Sequence, residues 1–162
     1  MPNHCDNTLT IKGNFEHRRE FVDKNRGFSY NDKMKEREYS DLSFHASVPV
    51  PNKHINPPKK GKGDGWYNWC INNWGTKWEC WEEHCSHDPI GTSYCFTTAW
   101  SPPVEWVRKV SRKFPHLEFQ VEWAEEGGEG GYFMYQGGDL FYDNMMTEEQ
   151  WKKAWGVEDD EE

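Results

Sequence analysis

Over most of the chain, apolar residues either alternate with polar ones or recur at helical spacing. Thr8–Lys12 alternates with Leu9 and Ile11 on one side, the pattern of a half-buried strand, and Gly13 ends it. Asn14 offers a cap. Phe15, Arg18, Arg19 and Val22 then fall at helical spacing, which predicts a helix over 15–25 with a basic outer face. Residues 26–41 are charged and lack a period, as a loop or short helix would. Leu42–Val48 reads as a second strand closed by Pro49 and Pro51. The stretch 51–65, with Lys53, Lys59, Lys60 and Lys62 among prolines and glycines, reads as a basic loop.

Asp64 and Gly75 bracket a helix with Trp66, Trp69, Cys70, Asn73 and Trp74 on one stripe. Tyr94–Trp100 alternates. Tyr94, Phe96, Thr98 and Trp100 share one face, and the small Cys95, Thr97 and Ala99 suit a helix packed on the other. Ser101-Pro102-Pro103 marks a helix start, with the Ser101 hydroxyl as cap and Pro103, Trp106, Val107, Val110 and Phe114 on one face. Leu117, Phe119, Val121 and Trp123 alternate with polar residues. Tyr132–Tyr135 and Leu140–Tyr142 flank Gln136-Gly137-Gly138-Asp139, a hairpin signature. Thr147–Gln150 matches a capping box, and Trp151 and Trp155 follow one helical turn apart. This order predicts an α+β protein. The simplest plan is a ferredoxin-like α/β sandwich, with helices on one face of a mixed or antiparallel sheet. A single domain over 1–156 needs an insertion at about 50–90 between its halves, and 157–162 form an acidic tail.

Composition changes the expected core. Leu, Ile, Val and Phe make up 25 of 162 residues, a share that in an ordinary chain signals disorder. Ten Trp and seven Tyr reverse that expectation, because each buried ring removes about 150–250 Å² from water. The core is therefore expected to be built from rings. No apolar run approaches the ~18 residues of a membrane span, and the polar start lacks the pattern of a leader peptide.

The net charge of −9 is uneven: residues 1–78 carry 13 basic and 9 acidic side chains, residues 79–162 carry 6 and 19. Such acidity argues against binding to duplex DNA. The five cysteines, Cys5, Cys70, Cys80, Cys85 and Cys95, are odd in number. Together with the missing leader, this points to reduced thiols in a cytosolic protein.

Three segments carry a family likeness: Met1–Ile11, Trp69…Asn73-Trp74-Gly75-Thr76-Lys77-Trp78, and Phe96–Pro103 with its Thr-Ala-Trp-Ser-Pro-Pro core. They resemble the YubB-like proteins with a ferredoxin-like domain of phages and plasmids. His4 departs from the pattern, where an aromatic residue is expected. The resemblance implies the fold and an accessory protein of a mobile element in the host cytoplasm, where it interferes with host machinery or host defence. It implies no reaction.

The candidate chemistry lies between residues 66 and 100. Trp66, Trp69, Trp74, Trp78 and Trp100, with Lys77, form a candidate ligand-binding set. Rings of this kind either fill a core, anchor a protein partner or stack on bases beside a lysine. The first expectation is a non-catalytic protein that blocks a host defence component. The alternative is a binder of a small nucleotide or single strand. A third alternative is zinc, since Cys80, His84 and His87 at i, i+4 and i+7, with Cys85 nearby, would share one face of a helix. The absence of a Cys-x-x-Cys pair favours packed thiols and surface histidines, so no cofactor and no metal are expected. No oxyanion-hole motif, P-loop or dinucleotide fingerprint is present, and no enzyme activity is expected.

Overall fold

The structure, a computed structural model, describes residues 3–30, 36–55 and 65–157. Its elements run β1 (His4–Lys12), α1 (Phe15–Lys24), β2 (Gly27–Tyr30), β3 (Glu36–Ser40), α2 (Phe44–Ser47), a 3-10 turn (Asn52–His54) and α3 (Gly65–Trp74). They continue with β4 (Trp81–His87), β5 (Thr92–Ala99), α4 (Val104–Lys113), β6 (Glu118–Glu125), β7 (Gly130–Gln136), β8 (Asp139–Met145) and α5 (Glu148–Trp155). Six strands form one antiparallel sheet in the order β4-β5-β1-β6-β7-β8, and β2 and β3 pair separately. Within that order, β1-α1-β4-β5-α4-β6 is the ferredoxin-like plan, with the first strand lying between the third and the fourth. β7 and β8 extend the sheet by a hairpin.

The core lies between the sheet and α1 and α4, and it is built from rings. Phe21 of α1 meets Tyr94, Trp106, Phe114 and Phe119 at centroid distances of 5.1 to 6.4 Å. Phe44 meets Trp74, Phe96 and Trp106 at 5.7, 5.9 and 4.7 Å. Edge-to-face geometry dominates, as the ring quadrupole favours. β1 begins four residues earlier than its apolar alternation, because the buried Asn7 stands in for an apolar residue. Its amide donates to the carbonyls of Cys5 and Phe96 and to the Thr98 hydroxyl. The Gly137-Gly138 turn has φ of 60° and 85°, the left-handed pair a two-residue hairpin needs. The Thr147 capping box is formed as expected.

Several expectations are corrected. Arg18 is buried rather than on a basic outer face. Its guanidinium donates to the carbonyls of Gly13, Asp88 and Pro89 and to the Thr92 hydroxyl, clamping α1 to the β4–β5 turn. Residues 26–41 contain the β2–β3 hairpin. Residues 42–48 are not a strand: the Ser43 side chain accepts from the Ala46 N–H and starts α2, and Leu42, Ser43 and Phe44 are all buried with no period of two. The second strand of the plan is instead β4, so the insertion begins directly after α1. The helices cover the Tyr94/Phe96 face of β5, while Cys95 is exposed on the other. The Ser101 hydroxyl does not cap α4 but donates to the Gly75 carbonyl. Asp64, Lys59, Lys60, Lys62 and the acidic residues 158–162 lie outside the described residues.

Candidate binding surface

α3, Gly-Trp-Tyr-Asn-Trp-Cys-Ile-Asn-Asn-Trp, contains no charged residue. One side packs inward. Cys70 and Trp74 are fully buried, and Trp66, Trp69 and Trp78 are half-buried against the same core. The Trp74 indole N–H donates to the Val48 carbonyl at 3.0 Å, and its ring meets that of Trp69 at 5.3 Å. Trp74 is therefore a core residue and leaves the candidate ligand set. Burial raises the Cys70 thiol well above its ordinary pKa and pushes Cys5 up to about 12, so both are packed as small apolar groups.

The other side of α3 faces solvent with Tyr67 and Ile71, one turn apart and 38% and 39% exposed. Neither belongs to the tryptophan stripe. The signal for them was the apolar i, i+4 pair on a helix without charges. Lys77, just beyond the helix, holds its ammonium 5.5 Å from the Tyr67 ring centre and 4.6 Å from that of Trp78. Such cation–ring contacts are worth about 0.5–1 kcal/mol at exposed sites.

The two sequence segments that stood out meet here. Gly75 ends α3 at φ 80°, its N–H donating to the carbonyls of Cys70 and Ile71. A Cβ at Gly75 would lie 3.1 Å from the backbone nitrogens of both Val104 and Glu105, so α4 starts against the bare glycine. The Thr76 hydroxyl donates to the Ala99 carbonyl at 2.9 Å, and the Ser101 hydroxyl to Gly75 at 2.7 Å. This clasp places Trp100 beside the end of α3, 52% exposed and at φ 71°. Left-handed backbone is strained for a bulky side chain and persists where surrounding bonds fix it. Here the Trp100 N–H is fixed on the Asn3 carbonyl at 2.9 Å. Lys77 and Trp100 thus lie on segments bonded to each other, while Trp66, Trp69 and Trp78 pack against the core.

Glu79 was not singled out from the sequence. It is buried and accepts from the Phe44 N–H at the start of α2.

The zinc expectation rests on a helix that does not form. In strand β4, His84 lies opposite the exposed Cys95. His87 hydrogen-bonds the Thr92 hydroxyl and stacks on Phe15 at 5.2 Å, toward α1. Cys80 is buried with its thiol directed to the Leu42 carbonyl. Strand geometry sends positions 84 and 87 to opposite faces, so the three do not converge. Among the described residues, no three histidine, cysteine or acidic side chains are placed to hold a metal ion. No helix among them is long and apolar enough to cross a membrane. His4, the departure from the expected aromatic, still acts as a ring, edge-on to Trp81 at 5.3 Å.

Fold and surface together define a ferredoxin-like α+β domain with an inserted, uncharged helix that exposes Tyr67 and Ile71. Residues 73–161 match the family described as the ferredoxin-like domain in Api92-like protein, and the chain belongs to that family. It is also similar in fold to the crystal structure of the protein api92 from Yersinia pseudotuberculosis. The TM-score is 0.60 at 11% identity, over 91% of this chain and 99% of that one. Among curated proteins, none matches the chain.

Proposed function

We propose that this chain is a non-catalytic binding protein that acts by occupancy, covering or sequestering a protein component of host antiviral defence in the host cytoplasm. The observation that carries this reading is the second apolar side of α3. Tyr67 and Ile71 face water although the helix already has a complete inner face, and the exposed Trp100 is held by the segment bonded to the helix end at Gly75-Thr76. Aromatic and aliphatic anchors of this kind dominate the energetics of protein interfaces. The host context rests on the likeness to YubB-like proteins of phages and plasmids, and is part of the proposal.

The nucleotide alternative ranks second. Its favourable observation is Lys77 beside Trp78, but that ammonium already sits against the Tyr67 and Trp78 rings, where a base would stack.

Capture from host lysate by the tagged full chain, compared with Tyr67→Ser/Ile71→Ser, tests the reading. A defence component held by the wild type and lost by the double variant supports it. Unchanged capture by both forms overturns it. Quenching of tryptophan fluorescence by mononucleotides at low salt, abolished in Lys77→Ala, would move the assignment to the nucleotide reading.

A further inference from the structure

The two edges of the main sheet are finished differently. β4, at one edge, is polar and alternates half-buried with exposed residues. It is bulged between Trp81 and His84, where Glu82 adopts φ 52°. Bulges and twists of this kind are how edge strands avoid pairing with other chains.

β8, Asp-Leu-Phe-Tyr-Asp-Asn-Met, is exposed at every position. As the last strand of the sheet it pairs, among the described residues, only with β7, and among them its outer row of N–H and C=O groups has no ladder partner. Leu140, Phe141, Tyr142 and Met145 are each about half exposed. A bulge falls at Phe141, after which Tyr142–Met145 runs in regular register with Gly131–Met134. The strand contains neither lysine nor proline, two residues that commonly block an open edge.

Its charges are of one sign. Asp139 and Asp143 lie on the strand itself, and Glu148 and Glu149 open the helix that follows it. Glu122 lies behind the strand in the row Glu122–Tyr132–Asn144. Among the nearby basic groups, Arg112 packs under Gly138 at the hairpin, Lys152 pairs with Glu148, and Arg108, near Tyr135 behind the strand, is paired with Glu105. A second copy of the chain would bring another Asp139 and Asp143 to the same edge, on a molecule of net charge −9. Like charges across a strand pair oppose it, whereas opposite charges favour it.

We propose that β8 is a docking edge for an extended segment of a partner protein in which lysine or arginine alternates with apolar residues, added as a seventh strand. Main-chain hydrogen bonds would supply affinity and the alternate side chains selectivity. The surface shares no residue with the α3 surface, so either reading can fail without the other.

The test is hydrogen exchange of the full chain with three synthetic probes. These are an alternating lysine–valine octapeptide, its glutamate–valine counterpart, and the lysine peptide N-methylated at alternate residues. The lysine peptide is expected to slow exchange across residues 139–145 about tenfold. The other two are expected to leave exchange unchanged. Asp139→Asn/Asp143→Asn, both at exposed positions and checked for an unchanged melting temperature, is expected to weaken the effect several-fold. Tyr67→Ser/Ile71→Ser is expected to preserve it. Equal protection by the N-methylated peptide would mean charge attraction without strand pairing, and would overturn the proposal. So would equal protection by the glutamate peptide, or no protection by any probe. Protection that rises with protein concentration, without peptide, would assign the edge to a second copy instead.

Discussion

Helices α3 and α4 are both ten residues long and lie against each other, yet they divide their residues differently. α4 has one apolar face. Trp106, Val107 and Val110 are buried, and Glu105, Arg108, Lys109, Arg112 and Lys113 fill the remaining turns. Glu105 and Arg108 pair with each other at 2.6 Å. α3 has the same inward component in Cys70 and Trp74 but replaces the charged side with Asn68, Tyr67, Ile71 and Asn72. Lys109 reaches across to the Asn73 side-chain oxygen, so a charge of α4 serves the polar edge of α3. The difference separates two tasks. α4 builds the fold and α3 both completes it and leaves apolar surface over, which in water is favourable only when something covers it.

The contrast can be broken most severely at Trp106. Its ring is fully buried between Phe21 and Phe44, and its N–H donates to the Phe44 carbonyl. Trp106→Ala is expected to lower unfolding free energy by about 3–5 kcal/mol, read by urea denaturation. A smaller effect is expected at the joint between the helices. Gly75→Ala forces a Cβ into left-handed backbone and against the α4 nitrogens, costing about 1–2 kcal/mol for the backbone conformation. It should also loosen Trp100, seen as a red shift in tryptophan emission. The smallest stability effect is expected where binding is expected to depend most. Tyr67→Ser/Ile71→Ser should change stability by no more than about 1 kcal/mol, most of it the lost Lys77–Tyr67 contact, while abolishing capture. If that variant melts as early as Trp106→Ala, α3 has no spare side and the comparison collapses.

Much of this was written in local pattern. Period-two alternation placed β1, β5 and β6, the Gly137-Gly138 turn placed the β7–β8 hairpin, and capping chemistry placed α1 and α5, because these signals depend on neighbours in sequence. β4 was not legible, since an edge strand needs few apolar residues and Trp-Glu-Glu-His-Cys-Ser-His offers almost none. α2 was missed because Leu42–Val48 is buried on several sides, which erases periodicity. At the candidate surface, the tryptophans and Lys77 were visible as residue types. Which of them were core and which were surface was not, since Trp66, Trp74 and Trp100 look alike until packing sorts them.

By itself the sequence determined a ring-filled α+β core, the strand–helix order outside residues 26–48 and 81–87, and the uneven charge. These follow from residue volumes, periodicities of 2 and 3.6, and counted side chains. Only the tertiary structure decided that Arg18 lies inside, that Cys80, His84 and His87 diverge, that Trp74 is core while Tyr67 and Ile71 face water, and that β8 is an open edge. Each of those depends on what lies opposite a residue across the sheet or between helices, and that is a property of contacts far apart along the chain.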